Sequence, residues 1–349
     1  MFKKLIVLSV ALALLIAACQ PSSPKTLTVL THDSFSVSEE LVTAFESANN
    51  VKIAFIQGGD TGSALNRLIL TSINSDAPEA DVFYGLDNTF LSRALEQELF
   101  EPYAPQALAD IPAEFKLDQT NNVVPIDYGD VCINYDKAWF ADQGLPLPAS
   151  LEDLTKPEYA GLLAVENPAT SSPGLAFMFA TIAEFGEDGW LNWWKAMKDN
   201  QVVVVSDWET AYYTNFSGSS GKGPQPMVVS YASSPAAELI YAETELTESP
   251  TASLVEPGMC WRQVEFAGIL KNTPNRKLAE KFVDFLLSPE FQEDVPMQMF
   301  VFPVLPTAKL PEDFVKAGQI PTVTGSLDSS LITQNRDAWV NAWTETVLD

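Results

Sequence analysis

The sequence predicts a two-lobed α/β protein, and three observations predict it. Its 349 residues, 46% of them hydrophobic, exceed what one core absorbs at roughly 150 residues per domain. Segments of strand-like and helical apolar spacing alternate, the pattern of parallel strands joined by helices. The alternation then breaks off and restarts in mid-chain, which predicts a second lobe built like the first. With 8 Trp, 20 Phe and 9 Tyr spread along the chain, disorder is excluded. The balance of 20 Lys+Arg against 46 Asp+Glu, a formal charge of -26, excludes a nucleic-acid binder, whose phosphate contacts need basic patches.

The chain opens on a leader. Lys3 and Lys4 precede an apolar run from Leu5 to Ala18, shorter than the ~20 residues of a bilayer span, so residues 1–18 read as a secretory signal peptide. Leu15-Ile16-Ala17-Ala18-Cys19 resembles a bacterial lipoprotein box, which makes Cys19 the lipidated N-terminus of the mature chain. Residues 19–25, with Pro and Ser, read as its flexible tether.

In the first lobe, Leu27 to Leu30 predicts a strand, Glu39 to Ser47 a helix, Lys52 to Ile56 a strand, Leu65 to Ile73 a helix, Ala80 to Gly85 a strand and Phe90 to Gln97 a helix. The second begins with a strand over Gly161 to Val165 and helices over Leu175 to Phe185 and Gly189 to Met197, whose Trp190, Trp193 and Trp194 read as core. Val202 to Val205 predicts a buried strand, Trp208 to Phe216 a helix and Met227 to Tyr231 a strand. Arg262 to Leu270 predicts another strand, Arg276 to Leu287 an amphipathic helix, and Pro289 begins one more. Ser217 to Gln225, rich in Gly and Ser, reads as a flexible surface loop.

Three loops share one geometry: Gly58 to Ser63, Thr170 to Gly174 and Ser233-Ser234-Pro235 each lead into a helix. Hydroxyls and free backbone N–H groups at such N-termini hold ligands or merely cap the helix. Their position after strand-like runs favours the ligand, since open α/β sheets bind beyond the strand C-termini. Enzyme signatures are sparse. The single histidine, His32, has no serine elbow near it and cannot form a His-rich metal site, and no P-loop or dinucleotide fingerprint is present. The residues call for no cofactor, no metal and no catalytic activity, although 46 acids leave a hydrolase-like carboxylate pair as an alternative.

Leu27-Thr-Val-Leu-Thr-His-Asp-Ser-Phe35, Leu65-Asn-Arg-Leu68, Ala80-Asp-Val-Phe-Tyr-Gly-Leu-Asp-Asn88, Pro125-Ile-Asp-Tyr-Gly129, Asn134-Tyr-Asp-Lys137, Thr170-Ser-Ser-Pro-Gly174, Val229-Ser-Tyr-Ala-Ser-Ser-Pro235, Gln263-Val-Glu265 and Gln334-Asn-Arg-Asp-Ala-Trp339 resemble the thiamine-binding proteins of ABC importers. The resemblance runs from residue 26 to 349. It implies a type II periplasmic-binding-protein fold with residues 26–126 plus 266–349 as one lobe and 127–265 as the other, the ligand trapped between them. It also implies an ABC permease as partner, a monomer touching the membrane only through its lipid, and a place in the periplasm or on the outer face of the cell membrane.

Thiamine joins an aminopyrimidine to a cationic thiazolium, so its receptor needs aromatic faces, carboxylates and a few hydroxyls. The ligand-binding set expected on these grounds is His32, Asp60, Thr61, Asp87, Ser171, Ser172, Trp208, Tyr212, Tyr231, Ser233, Trp261 and Phe300. Trp208 and Tyr212 share a helix face at i and i+4. Where the best-known relatives carry tyrosine this chain has His32 and Ala237, and where they carry tryptophan it has Phe300, so one stacking surface is missing and a thiamine phosphate or the pyrimidine fragment stays open as the ligand. A ferric-iron binder of the same architecture is the alternative, using His32, Asp60 and a tyrosine pair; but Tyr212 and Tyr213, neighbours on a helix, point about 100° apart. Cys132 and Cys260 flank the two lobe crossings on segments expected to be antiparallel, which leaves them either bridged or as two buried thiols.

Overall fold

The computed structural model describes residues 25–74, 77–242 and 244–349. The signal peptide, Cys19 and most of the tether lie outside these residues. Lys25, expected in the tether, already begins the first strand.

The first half of the chain alternates β1 (Lys25–Thr31), α1 (Glu39–Asn49), β2 (Val51–Gln57), α2 (Thr61–Asn74), β3 (Val82–Asp87) and α3 (Leu91–Glu96). β4 (Phe100–Glu101), the 14-residue β5 (Val123–Asp136) and α4 (Lys137–Gln143) lead to the second half. There β6 (Leu163–Glu166), α5 (Ser172–Asp199), β7 (Val203–Val205), β8 (Met227–Tyr231), α6 (Pro235–Ile240) and β9 (Thr251–Leu254) follow. The chain closes with β10 (Trp261–Leu270), α7 (Arg276–Leu286), α8 (Pro289–Gln298), β11 (Phe302–Pro303), α9 (Glu312–Ala317) and α10 (Ser329–Val347).

Neighbouring strands run in the order β2-β1-β3-β10-β5-β8-β6-β7. β1 is parallel to β2 and β3, and β6 is parallel to β7 and β8. The long strands β5 and β10 lie antiparallel between the two parallel sets. Their register shifts between Glu265 and Phe266, an irregularity that bends the strands and adds local twist where the two lobes meet. Below it Trp261 faces Val131; continuing that register sets Cys260 opposite Cys132. The two form a disulfide with Cα atoms 4.4 Å apart, the spacing of an antiparallel pair whose backbones exchange no hydrogen bond.

Gly186, at φ 69°, turns the 28 residues of α5 into two helical arms, because the left-handed region is open to glycine and strained for other residues. The arms bury Trp190, Trp193 and Trp194 as expected. Against them lies α10, for which the sequence reading placed no helix: Trp343 meets Trp194 edge-on at 5.3 Å, and Trp339 meets Phe179 at 6.0 Å. Two expectations are corrected. β7 is half-buried rather than buried, since it ends the strand path and, among the described residues, has only β6 beside it. Ser217 to Gln225 is pinned rather than flexible: Ser219 is 4% exposed, its hydroxyl donates to the carbonyls of Tyr212 and Phe216, and Phe216 bridges to Gln225.

Candidate functional site: a cleft at the strand ends

Six strand C-termini converge on one cleft, three from each parallel set, as the rule for open α/β sheets requires. Beyond β1 the chain delivers His32, Asp33 and Ser34; beyond β2, Asp60 and Thr61; and β3 ends at Asp87. From the other side come Ser172 after β6, Asp207 and Trp208 after β7, and Tyr231 and Ser234 at the end of β8. Glu265 on β10 and Met299 to Val301 complete the lining of a cavity of about 800 Å³, its mouth included.

One wall is aromatic. Trp208 stacks on Tyr212 with centroids 5.0 Å apart and planes 20° apart. Tyr213 stands edge-on to Trp208 at 5.6 Å and Tyr231 lies 6.5 Å from it. Thr210–Asn215 is a single π-helical turn, a local widening that recurs at functional sites. Three polar atoms of the wall are held by the protein itself: Trp208 Nε1 donates to Ser230 Oγ (2.9 Å), Tyr212 to Glu238 (3.0 Å) and Tyr231 to Gln263 (2.7 Å). Gly129 allows this, because a Cβ there would lie 2.6 Å from the Tyr231 ring.

The floor is polar. Asp60 Oδ1 accepts the backbone N–H groups of Thr61 (2.7 Å) and Ser172 (3.2 Å), and its Oδ2 accepts that of Trp208 (3.4 Å), so one carboxylate joins the two halves of the molecule. Ser172 Oγ donates to Asp87 and accepts from Gln263. Thr61 Oγ1 donates to the Gly85 carbonyl at 2.8 Å. His32 Nε2 lies 3.4 Å from Glu265 Oε1, an ion pair without a well-aligned hydrogen bond.

The electrostatics follow from burial and from the density of acids. Burial alone would hold the His32 imidazole down, but Glu265, Asp60 and Asp33 outweigh it and lift its pKa, favouring the cation. Burial raises Asp60 against the hydrogen bonds of Ser171, Ser172 and Thr61. Burial also pushes Asp87 up to about 6. Asp127, opposite Glu265 across β5 and β10, is driven well above the carboxylate range by burial and by that neighbour. Glu166, with both oxygens buried and without a hydrogen-bond partner among the described residues, is raised well above its usual value by burial and by Asp60. Burial would raise Asp207 too, yet hydrogen bonds from Ser206 and Thr210 hold it below the usual range.

Of the residues expected at the ligand, His32, Asp60, Thr61, Ser172, Trp208, Tyr212, Tyr231 and Phe300 line the cavity. Four lie behind the lining. Asp87 is fully buried and accepts from Thr89 N (2.7 Å) and Oγ1 (2.5 Å). Ser171 caps α5, accepting from Gly174 N. Ser233 is fully buried. Trp261 is core, edge-on to Phe179 at 5.5 Å; its place on β10, four residues short of the shift, sets it against α5. The reading missed Asp207, Glu209, Tyr213 and Met299 as lining residues and quoted Glu265 without a role. Asp207 and Glu209 flank Trp208 just after a strand, which is the signal that would have found them.

The alternatives meet the same geometry. Tyr212 directs its hydroxyl to Glu238, with its ring 83° from that of Tyr213, and among the described residues no group of three or more His, Cys, Asp or Glu could hold a metal ion. The facing carboxyls of Asp127 and Glu265 form a pair, but Asp127 is 1% exposed and accepts from Tyr84.

Two α/β lobes closing on a cleft from their strand ends make a solute-binding protein, and the chain belongs to the bacterial extracellular solute-binding protein family, which matches residues 77–323. Over 339 residues, 96% of this chain and 97% of the other, it is 30% identical to the thiamine-binding periplasmic protein of Salmonella typhimurium. It is 31% identical to the protein of that name from Brucella suis over 326 residues, 91% of each. A solved periplasmic thiamin binding protein superposes with a TM-score of 0.81 at 29% identity, covering 94% of this chain and 98% of that one.

Proposed function

We propose that this protein captures thiamine outside the cytoplasmic membrane and delivers it to the permease of an ABC importer, without chemical change to the ligand. The carrying observation is the pairing of the Trp208–Tyr212 stack with Asp60, Asp207, Glu209 and Glu265 around one cavity. A flat cation gains from both: the ring faces attract it by stacking and cation–π interaction, and the carboxylates complement its charge. The thiamine-binding relatives, alike over nearly their whole length, support the reading.

The lobes divide at the register shift of β5 and β10, residues 127–265 swinging against 26–126 plus 266–349, with α10 lying along the second lobe. Cys19, lipidated after removal of residues 1–18, tethers a monomer to the membrane. Calorimetric titration of refolded, ligand-free mature protein with thiamine tests the function: one molecule bound per chain with quenched tryptophan fluorescence is expected, and no heat and no quenching would overturn it.

A further inference from the structure

We propose that Asp127 sets the charge of the cleft from behind its lining: in the ligand-free protein it shares one proton with Glu265, and the arriving thiazolium displaces that proton to solvent. The inference rests on the thiamine reading and adds how the site answers to pH. Glu265 lines the cavity, whereas Asp127 is 1% exposed and reaches it only through that partner.

The geometry calls for the proton. Glu265 and Asp127 stand opposite one another across β10 and β5, at the register shift, and their carboxyls are hydrogen-bonded. A carboxylate is acceptor-only, so two carboxyls bond to each other only when one of them carries a proton. Tyr84, fully buried, donates its hydroxyl to Asp127; burial and Asp127 hold that phenol well above its usual pKa, so it stays neutral and supplies no counter-charge. The other titratable groups around the pair are Asp87 from β3, Asp60 from the loop after β2, Tyr231 from β8 and His32 from the loop after β1. Among the described residues no Lys or Arg lines the cavity, and His32, 3.4 Å from Glu265, is its one basic side chain. A single imidazolium thus faces Asp33, Asp60 and Glu265 together, which leaves Asp127 without a cation of its own. Burial and Glu265 accordingly drive Asp127 well above the carboxylate range. A thiazolium beside Glu265 supplies the missing positive charge, and the pair then ionises fully, since a nearby opposite charge favours the charged form. Proton displacement fixes the sign of the pH dependence: affinity rises with pH, by up to about tenfold per unit for one proton, and levels off once the free pair has ionised.

Calorimetric titration of ligand-free mature protein with thiamine at about pH 7.5, in buffers of different ionisation heat, counts the protons exchanged. At that pH Asp87, pushed up to about 6, is already ionised and contributes little. About half to one proton should leave per thiamine bound. Asp127→Asn can still accept from Tyr84 and can donate to Glu265 without a titrating proton, so it should lose at least about half of the release. His32→Gln keeps the pair, and the release should persist there. Binding heat that is the same in every buffer for the parent, or equal proton counts for the parent and Asp127→Asn, overturns the proposal and leaves the thiamine reading standing. Release that disappears in His32→Gln assigns the proton to the imidazole and overturns it as well. Should Asp127→Asn fail to fold, the counts for the parent and His32→Gln still decide. No binding heat in any buffer overturns both readings.

Discussion

The aromatic wall and the polar floor of the cleft both come from loops after strand ends, yet they use their polar atoms in opposite ways. In the wall, Trp208, Tyr212 and Tyr231 anchor their N–H and O–H groups behind themselves, to Ser230, Glu238 and Gln263, and leave ring faces to the cavity. In the floor, Asp60, Ser172, Asp87 and Gln263 satisfy one another, and the bonds of Ser172 to Asp60 and Asp87 tie the two halves of the molecule together. The wall is built to bind, and the floor, apart from the charge that Asp60 offers a cation, to fix geometry. Affinity and stability should therefore separate on mutation.

The largest effect is expected outside both regions. Cys132 and Cys260 are 128 residues apart in sequence, so their bridge restrains a long loop in the unfolded chain, and its loss should cost about 2 to 5 kcal/mol of stability. Neither cysteine lines the cavity. Reduction should lower Tm while calorimetry finds thiamine affinity unchanged; a parallel fall in affinity would mean that the strands carrying the bridge also shape the cleft. Next is Ser172→Ala. Removing the hydroxyl leaves Asp87 and Gln263 each short of a buried partner, a loss of about 1 to 3 kcal/mol that thermal unfolding should register more strongly than binding does. Trp208→Ala reverses that order. It should weaken thiamine binding by about 1 to 2 kcal/mol or more, the scale of a desolvated cation–π contact, and abolish most of the fluorescence quenching. Wild-type affinity in that variant would remove the wall from the binding site.

Most strands and helices were legible because each lobe repeats a short alternation of periods two and 3.6. β5 was not, since its 14 residues include Pro125, Asp127, Gly129 and Asp130, a polar and turn-like composition that sits in a strand only because flanking strands and the cleft enclose it. α10 escaped for a similar reason: Trp339 and Trp343 recur at helical spacing, but the charged Arg336 is buried with them, its guanidinium 4.5 Å from the Phe90 ring. The cavity residues that follow strands directly, such as Asp60 and Trp208, could be read from position. Side-chain direction could not, and this is why Trp261 and Ser233 were expected at the ligand and lie in the core. Glu265 shows the converse. Its role depends on which residue faces it across the register shift and on His32 arriving from a distant strand end, neither of which is encoded locally.

Asp87 offers the finest test, because the sequence placed it at the ligand and the structure places it in the floor. Its carboxyl is pushed up to about 6 by burial, whereas in the unfolded chain it titrates near about 3.9. Between these values the folded state holds a proton that the unfolded state has released, so this group makes stability fall as pH rises from about 4 to 6 and contributes no slope below that window. Asp87→Asn should flatten that part of the stability profile. At pH 7 the relief of a buried charge and the weaker hydrogen bonds to Thr89 and Ser172 nearly offset, leaving a net change within about 1 kcal/mol. Asp60, Asp127 and Glu166 are also raised by burial, but they are common to both proteins, and subtracting the variant's unfolding curve from that of the parent isolates Asp87. Thiamine affinity should stay within about twofold. A tenfold loss with an unchanged pH profile would return Asp87 to the ligand and erase the distinction between floor and wall.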